Sequence, residues 1–303
     1  QKNSGHLLAT KQLRFQFIED HREQFPVSQM CRVLGVSRSG YYDWRGRPPS
    51  KRKMENEKLY KKIKAVYDQN RQVFGSPRIY NVLKERGVVC SENRIARLMR
   101  LRGLRPKQEK TFKATTRRNK AHPIAPNLLK RDFNASRPNE RWLTDITYIS
   151  TEEGWLYLAV VLDMFSRRIV GWAMSDRITA DLTISALRMA LTRREVEPKL
   201  LHHSDQGSQY TDSRYRQLLR DWGMKASMNG VGSWYDNAPV ESFFSTLKRE
   251  QVHHYAYRTR NQARADILSY IESFYNRRRI HSALGYVSPL RFEQIYHQGA
   301  TVR

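Results

Sequence analysis

Cysteine, acidic side chains and long apolar runs are all scarce in this 303-residue sequence. The two cysteines, Cys31 and Cys90, stand far apart, which excludes a cysteine-rich zinc module and is typical of a protein of the reducing cytoplasm. No apolar run reaches the roughly 20 residues that a membrane-spanning helix needs, and no signal-peptide pattern opens the chain. We therefore expect a cytoplasmic protein without a membrane partner.

The shortage of acidic residues leaves the chain strongly basic. Lys and Arg number 55 against 29 Asp and Glu, which gives a formal net charge of +26. The imbalance is concentrated in residues 1–131, which hold 32 Lys and Arg against 10 Asp and Glu. Like charge at this density opposes compaction unless a polyanion neutralises it, so we predict a nucleic acid partner. An acidic membrane surface is the weaker alternative, because the sequence offers no apolar span.

Residues 1–47 have the pattern of a helix-turn-helix segment. A helical stretch precedes a short helix that ends at Gly35, and Ser37 is a good N-cap for the next helix. This plan is common in modules that read DNA, and it places Arg38 and Tyr41 on the second helix. We predict that both residues contact DNA, with a plain helical hairpin as the alternative.

A second three-helix unit is predicted for residues 54–105. Apolar residues recur there at helical spacing, and Gly87 and Gly103 mark two helix ends. The arginines of the last helix lie outside its apolar stripe. Arginines placed in this way can contact bases in a major groove or DNA phosphates. These predicted DNA contacts are Arg94, Arg97 and Arg100.

The stretch 106–134 is rich in Lys and Arg and has little apolar periodicity. It is therefore predicted to be a basic linker that becomes ordered along a DNA backbone. Arg117 and Arg118 are its predicted DNA contacts.

From residue 135 the sequence changes to runs of β-forming residues. Three runs follow one another as in a meander, and two further strands then alternate with helices. This order predicts a mixed five-stranded sheet in an α/β domain over residues 135–256, and residues 257–303 are predicted to form a C-terminal helical extension. The predicted fold class is therefore multi-domain, with all-α helix-turn-helix units followed by an α/β domain.

Three acidic residues occur where an isolated charge is costly. Asp145 lies inside the first predicted strand, Asp205 follows the fourth, and Glu241 opens a late helix. Two carboxylates about 4 Å apart repel by ~4 kcal/mol at an effective dielectric of 20, so three together would protonate unless a divalent cation held them. Oxygen-only donors favour Mg²⁺ or Mn²⁺, and two such ions can promote displacement at a phosphodiester. For each acid taken singly, a hydrogen-bonded structural role is the alternative.

The late helix also carries a basic residue beside its acid. Asn237 is a good N-cap, and Pro239 is tolerated in a first turn. Glu241 then lies near the positive end of the helix. Lys248 follows seven residues later and so falls about 20° from Glu241 on the same face, because a helix has 3.6 residues per turn.

The spacing of these acids is specific. Asp145 and Asp205 are separated by 59 residues, and Asp205 and Glu241 by 35, which resembles the Asp-Asp-35-Glu core of retroviral integrases and insertion-sequence transposases. Longer motifs resemble the IS-three (IS3) family of bacterial transposases over essentially the whole chain. They include Trp142-Leu-Thr-Asp-Ile-Thr-Tyr148, His203-Ser-Asp-Gln-Gly-Ser-Gln-Tyr210, Glu241-Ser-Phe-Phe-Ser-Thr-Leu-Lys248 and His281-Ser-Ala-Leu-Gly-Tyr286.

The resemblance implies a ribonuclease-H-like catalytic core and roles for its motif residues. Asp145, Asp205 and Glu241 would be the catalytic metal ligands, and they would hold two Mg²⁺ or Mn²⁺ ions. Lys248 would contact the DNA end near the scissile phosphate, with a solvated helix lysine as the alternative.

Other motif residues have less defined implied roles. Asn237 and Gln206 would contact DNA or support the metal ligands, with a capping and a surface role as the alternatives. Tyr148 is expected to be a fold residue.

Family members are frameshift fusions whose upstream frame holds a leucine zipper, and this sequence shows no zipper heptads. We therefore expect it to correspond to the downstream product or to a truncated fusion.

The activity that the resemblance implies is that of a DNA transposase in the bacterial nucleoid. Such an enzyme would bind terminal inverted repeats as a homo-oligomer, cleave at the 3′ ends and transfer the cut strand to target DNA. One alternative is a structure-selective nuclease on the same fold, which would cleave without joining. Another is a non-catalytic repressor that binds the element ends.

Overall fold

The computed structural model describes residues 10–48, 50–107, 125–129, 132–229 and 237–299. The chain divides into two compact units, residues 1–61 and residues 62–303. Within the described ranges, no helix is both long and apolar enough to cross a membrane.

Three short helices lie in the first unit, in agreement with the predicted helix-turn-helix pattern. They are α1 (Lys11–His21), α2 (Val27–Val33) and α3 (Arg38–Gly46). Gly35 turns the chain before α3 with a φ of 62°, in the left-handed region that favours glycine. The Ser37 hydroxyl accepts a hydrogen bond from the Gly40 amide at 3.1 Å and so caps α3 as predicted. The core residues are Phe15, Ile18, Met30, Cys31 and Tyr41.

Three further helices follow in the chain. They are α4 (Lys51–Gln69), α5 (Ser76–Glu85) and α6 (Glu92–Leu101). The helix ends follow the predicted signals, since the Ser91 hydroxyl accepts a hydrogen bond from the Arg94 amide at the start of α6. Gly87 and Gly103 follow α5 and α6 with φ values of 72° and 68°. Ile95, Leu98 and Met99 form the buried side of α6.

The α/β part contains the predicted mixed five-stranded sheet. Its strands are β1 (Arg141–Thr151), β2 (Gly154–Asp163), β3 (Ile169–Ser175), β4 (Leu201–Ser204) and β5 (Lys225–Met228). Their order in the sheet is β3-β2-β1-β4-β5. The β1–β2 and β2–β3 pairs are antiparallel, and the β1–β4 and β4–β5 pairs are parallel. The meander and the later alternation with helices are therefore confirmed.

Six α-helices accompany the sheet in the part of the chain that the structure describes. They are α7 (Ala180–Arg193), α8 (Ser208–Thr211), α9 (Ser213–Asp221), α10 (Ala238–Glu250), α11 (Arg260–Leu268) and α12 (Pro289–His297). Trp142 on β1, Val161 on β2 and Leu187 on α7 belong to one buried apolar cluster on the sheet. Residues 158–162 of β2 are all buried, which explains the continuous apolar sequence of this part of the strand.

Gly171 allows the close approach of β3 and α7. A Cβ atom at this position would lie 2.2 Å from the carbonyl oxygen of Ala186 and 2.8 Å from the Cβ of Ala190. Both neighbours belong to α7, and the nearer atom is backbone, so a side chain at residue 171 would push the helix away from the sheet.

Gly171→Ala should lower the free energy of unfolding of residues 62–303 by about 1–3 kcal/mol, because the added methyl group overpacks this contact. Gly75→Ala is the matched control, since a Cβ there finds its nearest neighbour at an ordinary 3.5 Å. Its cost should stay below ~1 kcal/mol. Urea unfolding followed by tryptophan fluorescence measures both variants, and equal losses would contradict the packing described for Gly171.

Candidate active site

Asp145 and Asp205 lie beside each other on neighbouring strands. In the parallel β1–β4 pair, Leu143 is opposite His203. Continuing this register by two residues brings Asp145 level with Asp205, which directly follows β4. The charge of Asp205 accordingly raises the pKa of Asp145. The sheet topology therefore brings together two acids that are distant in sequence.

Backbone amides orient both carboxylates. Asp145 Oδ1 accepts a hydrogen bond from the Ile146 amide at 2.8 Å. Asp205 Oδ1 accepts one from the Gly207 amide at 2.9 Å. Both side chains are half-buried, so they remain open to a ligand on one side.

The electrostatics of the site disfavour additional negative charge. The pKa of Asp145 is raised to about 8, chiefly by burial and then by the charges of Asp205 and Glu241, while the hydrogen bond from the Ile146 amide and the charge of Lys248 act in the opposite direction. Burial also raises the pKa of Asp205 and of Glu241. Three acids with raised pKa values favour a bound cation, because a cation stabilises their ionised form.

Helix α10 brings Glu241 to the same part of the sheet. Asn237 occupies the N-cap position as predicted, but its side chain makes no capping hydrogen bond. Its Nδ2 instead donates to the Thr144 carbonyl at 3.1 Å. Its Oδ1 is buried, without a hydrogen-bond partner among the described residues. The start of α10 is therefore tied to β1, one residue before Asp145.

Lys248 lies two turns further along α10. Its Nζ is 4.6 Å from the centroid of the Tyr148 ring, within cation–π distance. Burial lowers the pKa of Lys248, and the charge of Asp145 acts in the opposite direction. The ammonium group of Lys248 is thus close enough to interact with the Asp145 carboxylate. The Tyr148 side chain is 43% exposed rather than packed in the core. This exposure does not support the expectation that Tyr148 serves only the fold.

A buried ion pair that the sequence did not reveal fixes the other end of α10. Glu250 is 5% exposed, and its two carboxylate oxygens accept hydrogen bonds from Arg279 Nη2 and Nε, each at 2.8 Å. Tyr270 donates to Oε2 at 2.8 Å, and Arg78 of α5 lies 3.5 Å from Oε1. Burial would raise the pKa of Glu250, but the hydrogen bonds and charge of Arg279, with Arg78, lower it. Glu250 is therefore ionised and holds α10 in place.

Gln206 follows Asp205 and faces the end of β5. Its Nε2 donates to the Asn229 carbonyl at 2.6 Å. This bond connects the segment that holds Asp205 to the neighbouring strand. The predicted contact of Gln206 with DNA or with the metal ligands stays a prediction.

Tyr41 does not lie where a DNA contact would require. Its side chain is fully buried, and its hydroxyl donates a hydrogen bond to Glu19. The prediction that Tyr41 contacts DNA is therefore corrected, because the ring belongs to the core of the first unit. Arg38, on the same helix, is exposed.

The arginines of α6 differ in exposure. Arg97 and Arg100 are exposed, and Arg94 is half-buried. The apolar side of the helix is buried, so the exposed arginines occupy the opposite side. Arg117 and Arg118 of the predicted linker lie outside the described residues.

The donor chemistry of the three acids fits a hard divalent cation. Asp145, Asp205 and Glu241 offer only carboxylate oxygens, which Mg²⁺ and Mn²⁺ prefer. No His, Cys, Asp or Glu side chains of the described residues form a group of three close enough to hold a metal ion. Mutual repulsion gives a physical reason, since converging carboxylates repel one another.

Comparison with known families agrees with this architecture. Residues 54–112 match the family described as an HTH-like domain. Residues 135–233 and 241–295 each match a family described as an integrase core domain. The two core matches contain all three acids between them.

Full-length relatives are also similar to the chain. The "Insertion element IS600 uncharacterized 31 kDa protein" of Shigella sonnei is 46% identical over 271 residues, which cover 89% of this chain and 100% of that protein. The "Transposase InsF for insertion sequence IS3A" of Escherichia coli (strain K12) is 41% identical over 283 residues, which cover 93% of this chain and 98% of that protein. A solved structure of the HTLV-2 integrase catalytic core domain in complex with magnesium is 16% identical with a TM-score of 0.42, covering 53% of this chain and 99% of that one.

A helix-turn-helix region followed by an integrase core defines the class of transposases with an integrase catalytic core. Such proteins act on DNA, in agreement with the predicted nucleic acid partner. Within that class, the chain belongs to the IS3 family of transposases.

Asn237→Asp should lower the free energy of unfolding by about 1–3 kcal/mol, because the amide that donates to the Thr144 carbonyl becomes a buried carboxylate. Asn261→Asp is the control, since Asn261 is exposed on α11, and its effect should stay within ~0.5 kcal/mol. Urea unfolding at neutral pH measures both. If Asn237→Asp unfolds like the control, the described bond does not anchor α10.

Proposed function

We propose that this protein is a metal-dependent DNA transposase that binds the terminal inverted repeats of an insertion sequence, cleaves at the 3′ ends and transfers the strand. The observation that carries the proposal is the placement of Asp145 beside Asp205, with Glu241 and Lys248 on one helix next to them. This arrangement stands in a chain of the IS3 transposase family.

The acids would act together on a phosphodiester. Asp145, Asp205 and Glu241 would hold two Mg²⁺ or Mn²⁺ ions, which supply polarisation of the phosphate and stabilisation of the attacking and leaving oxygens. Lys248 would bind a phosphate of the DNA end as a point charge. Asn237 would keep the first turn of α10, and hence Glu241, against β1. No serine or tyrosine nucleophile is needed, so we expect no covalent protein–DNA intermediate.

DNA recognition would come from the helical units. Arg38 on α3 and Arg97 and Arg100 on α6 are exposed, and exposed arginines suit both phosphates and guanine edges. Arg94 would support this surface from its half-buried position. The predicted linker contacts Arg117 and Arg118 would add charge along the backbone. Bridging two element ends to a target would need more than one copy of the chain, so we propose a homo-oligomer on DNA.

We retain the predicted division of the chain as part of this proposal. It comprises a helix-turn-helix segment, a second such domain, a basic linker, the catalytic core and a helical extension. The proposed bounds are 1–47, 54–105, 106–134, 135–256 and 257–303.

Glu241→Gln should reduce 3′-end cleavage and joining by at least about 100-fold, because a carboxylate ligand is lost and metal ions contribute several kcal/mol to such reactions. Glu197→Gln is the control, since the Glu197 side chain is 70% exposed and pairs with Arg137. The assay uses labelled repeat-end DNA in Mg²⁺ or Mn²⁺. DNA binding should survive in both variants.

Three outcomes of that assay would count against the proposal. Cleavage without joining by the unaltered chain would favour a structure-selective nuclease. Tight end binding without metal-dependent chemistry would favour a repressor. Undiminished activity of Glu241→Gln would remove Glu241 from the catalytic set.

Arg97→Ala and Arg100→Ala should each weaken binding to the repeat end. For a phosphate contact, the slope of log K against log salt concentration should become shallower by ~0.9. For a base contact, the loss should be about 1–3 kcal/mol, with relaxed preference at one base pair. Arg188→Ala, which alters an exposed residue of α7, is the control. Fluorescence anisotropy at several salt concentrations distinguishes the cases, and unchanged affinity and slope would contradict a DNA-binding role for α6.

A further inference from the structure

The hairpin between β1 and β2 holds two large aromatic side chains in solvent. Tyr148 is 43% exposed and Trp155 is 49% exposed. Their rings meet edge to face, with centroids 5.0 Å apart and an interplanar angle of 82°. Ser150 pairs with Trp155 and Tyr148 pairs with Tyr157, so the two aromatic residues share one face of the hairpin. Half-exposed aromatic rings in contact form an apolar surface without an evident role in the core.

The hairpin turn is fixed by the segment that precedes and begins α11. The Glu152 amide donates to the Tyr257 carbonyl at 3.0 Å. The Arg260 amide donates to Glu153 Oε2 at 2.8 Å, and Arg260 Nε donates to the Trp155 carbonyl at 3.0 Å. The backbone that bears Trp155 is therefore held on both sides of the turn. A surface fixed in this way loses little conformational entropy when it binds a ligand.

The aromatic pair is connected to the acids by a positive charge. Lys248 Nζ lies 4.6 Å from the centroid of the Tyr148 ring. On α10, Lys248 is on the same face as Glu241. Lys248 therefore links Asp145, whose charge acts on its ammonium group, to the Tyr148 ring and through that ring to Trp155. Ammonium and aromatic groups side by side match a nucleotide, which offers a phosphate and a flat base.

The distance from Asp145 to the aromatic pair corresponds to a few nucleotides. Tyr148 is three residues from Asp145 along β1, or about 10 Å at ~3.3 Å per residue. Ser150, opposite Trp155, is five residues from Asp145, or about 17 Å. Successive nucleotides of one B-DNA strand rise ~3.4 Å, so these distances span about three to five nucleotides.

We propose that Tyr148 and Trp155 form a stacking platform for an unpaired base of the transposon end, about three to five nucleotides from the scissile phosphate. Lys248 binds a phosphate on the same strand. This inference rests on the proposed function and specifies how that site holds its DNA. Every base has a π-face, so the platform tolerates different sequences. A base that leaves the duplex must break its pair, and stacking on the platform compensates for part of that loss.

Cross-linking tests the platform independently of catalysis. Repeat-end DNA with single 5-iodouracil substitutions at successive positions is bound to the full chain in EDTA and irradiated. Stacked aromatic residues should cross-link, and mass spectrometry locates the attached peptide. We expect attachment to Trp155 or Tyr148 from positions about three to five nucleotides from the scissile phosphate. Attachment to neither residue would overturn the proposal.

Activity on opened DNA gives the second test. Trp155→Ala should slow cleavage of a fully paired end by about 5- to 150-fold, since stacking on an aromatic residue is worth ~1–3 kcal/mol per base. On an end with mismatched pairs at those positions, the variant should cleave at a rate within about threefold of that of the unaltered chain, because no base pair has to be broken there. Trp155→Phe, which keeps an aromatic ring, should retain most activity. Trp222→Ala, which removes another exposed tryptophan of 42% exposure, should leave activity unchanged.

The two tests separate this inference from the proposed function. If the unaltered chain cleaves but Trp155→Ala behaves like Trp222→Ala, the platform is wrong and the transposase proposal stands. Failure of the mismatched end to restore activity to Trp155→Ala would also contradict the platform. If the unaltered chain never cleaves yet cross-links at Trp155 in the expected window, the catalytic proposal fails and the base-binding surface remains.

Discussion

Repulsion between carboxylates is the constraint that the catalytic core has to meet. The parallel register of β1 and β4 places Asp145 level with Asp205, and burial adds to the cost of ionising either side chain. A third acid cannot be drawn to this pair by its own charge. Other bonds have to position it. Helix α10 is accordingly held at both ends, by Asn237 on the Thr144 carbonyl and by Glu250 on Arg279.

The end of α10 also contacts the predicted DNA-binding part of the chain. Arg78 on α5 contacts Glu250, at the end of the helix that also contains Glu241 and Lys248. A helix that belongs to the predicted DNA-binding part therefore contacts the element that carries Glu241 and Lys248, two residues of the proposed site. Lys248 contacts the Tyr148 ring, and its charge also acts on Asp145, so one ammonium group links this acid to the exposed aromatic pair.

The sequence predicted the framework of the site because its signals are local. Alternating and continuous apolar runs located the strands, and the N-cap and proline signals located the start of α10 before Glu241. Glu250 was missed because an acid near a helix end is usually solvated, and its partners Arg78 and Arg279 are distant in sequence. Tyr41 was misassigned because helical spacing alone does not tell a buried face from one that meets DNA.

The most direct measurement is the location of manganese in crystals of the protein with an uncleaved repeat end, read from anomalous scattering. We expect two peaks, each within ligand distance of at least two of Asp145, Asp205 and Glu241, with Glu241 moved towards the two aspartates. Manganese bound only elsewhere, or bound by the aspartates without Glu241, would contradict the claim that these three acids form one metal site.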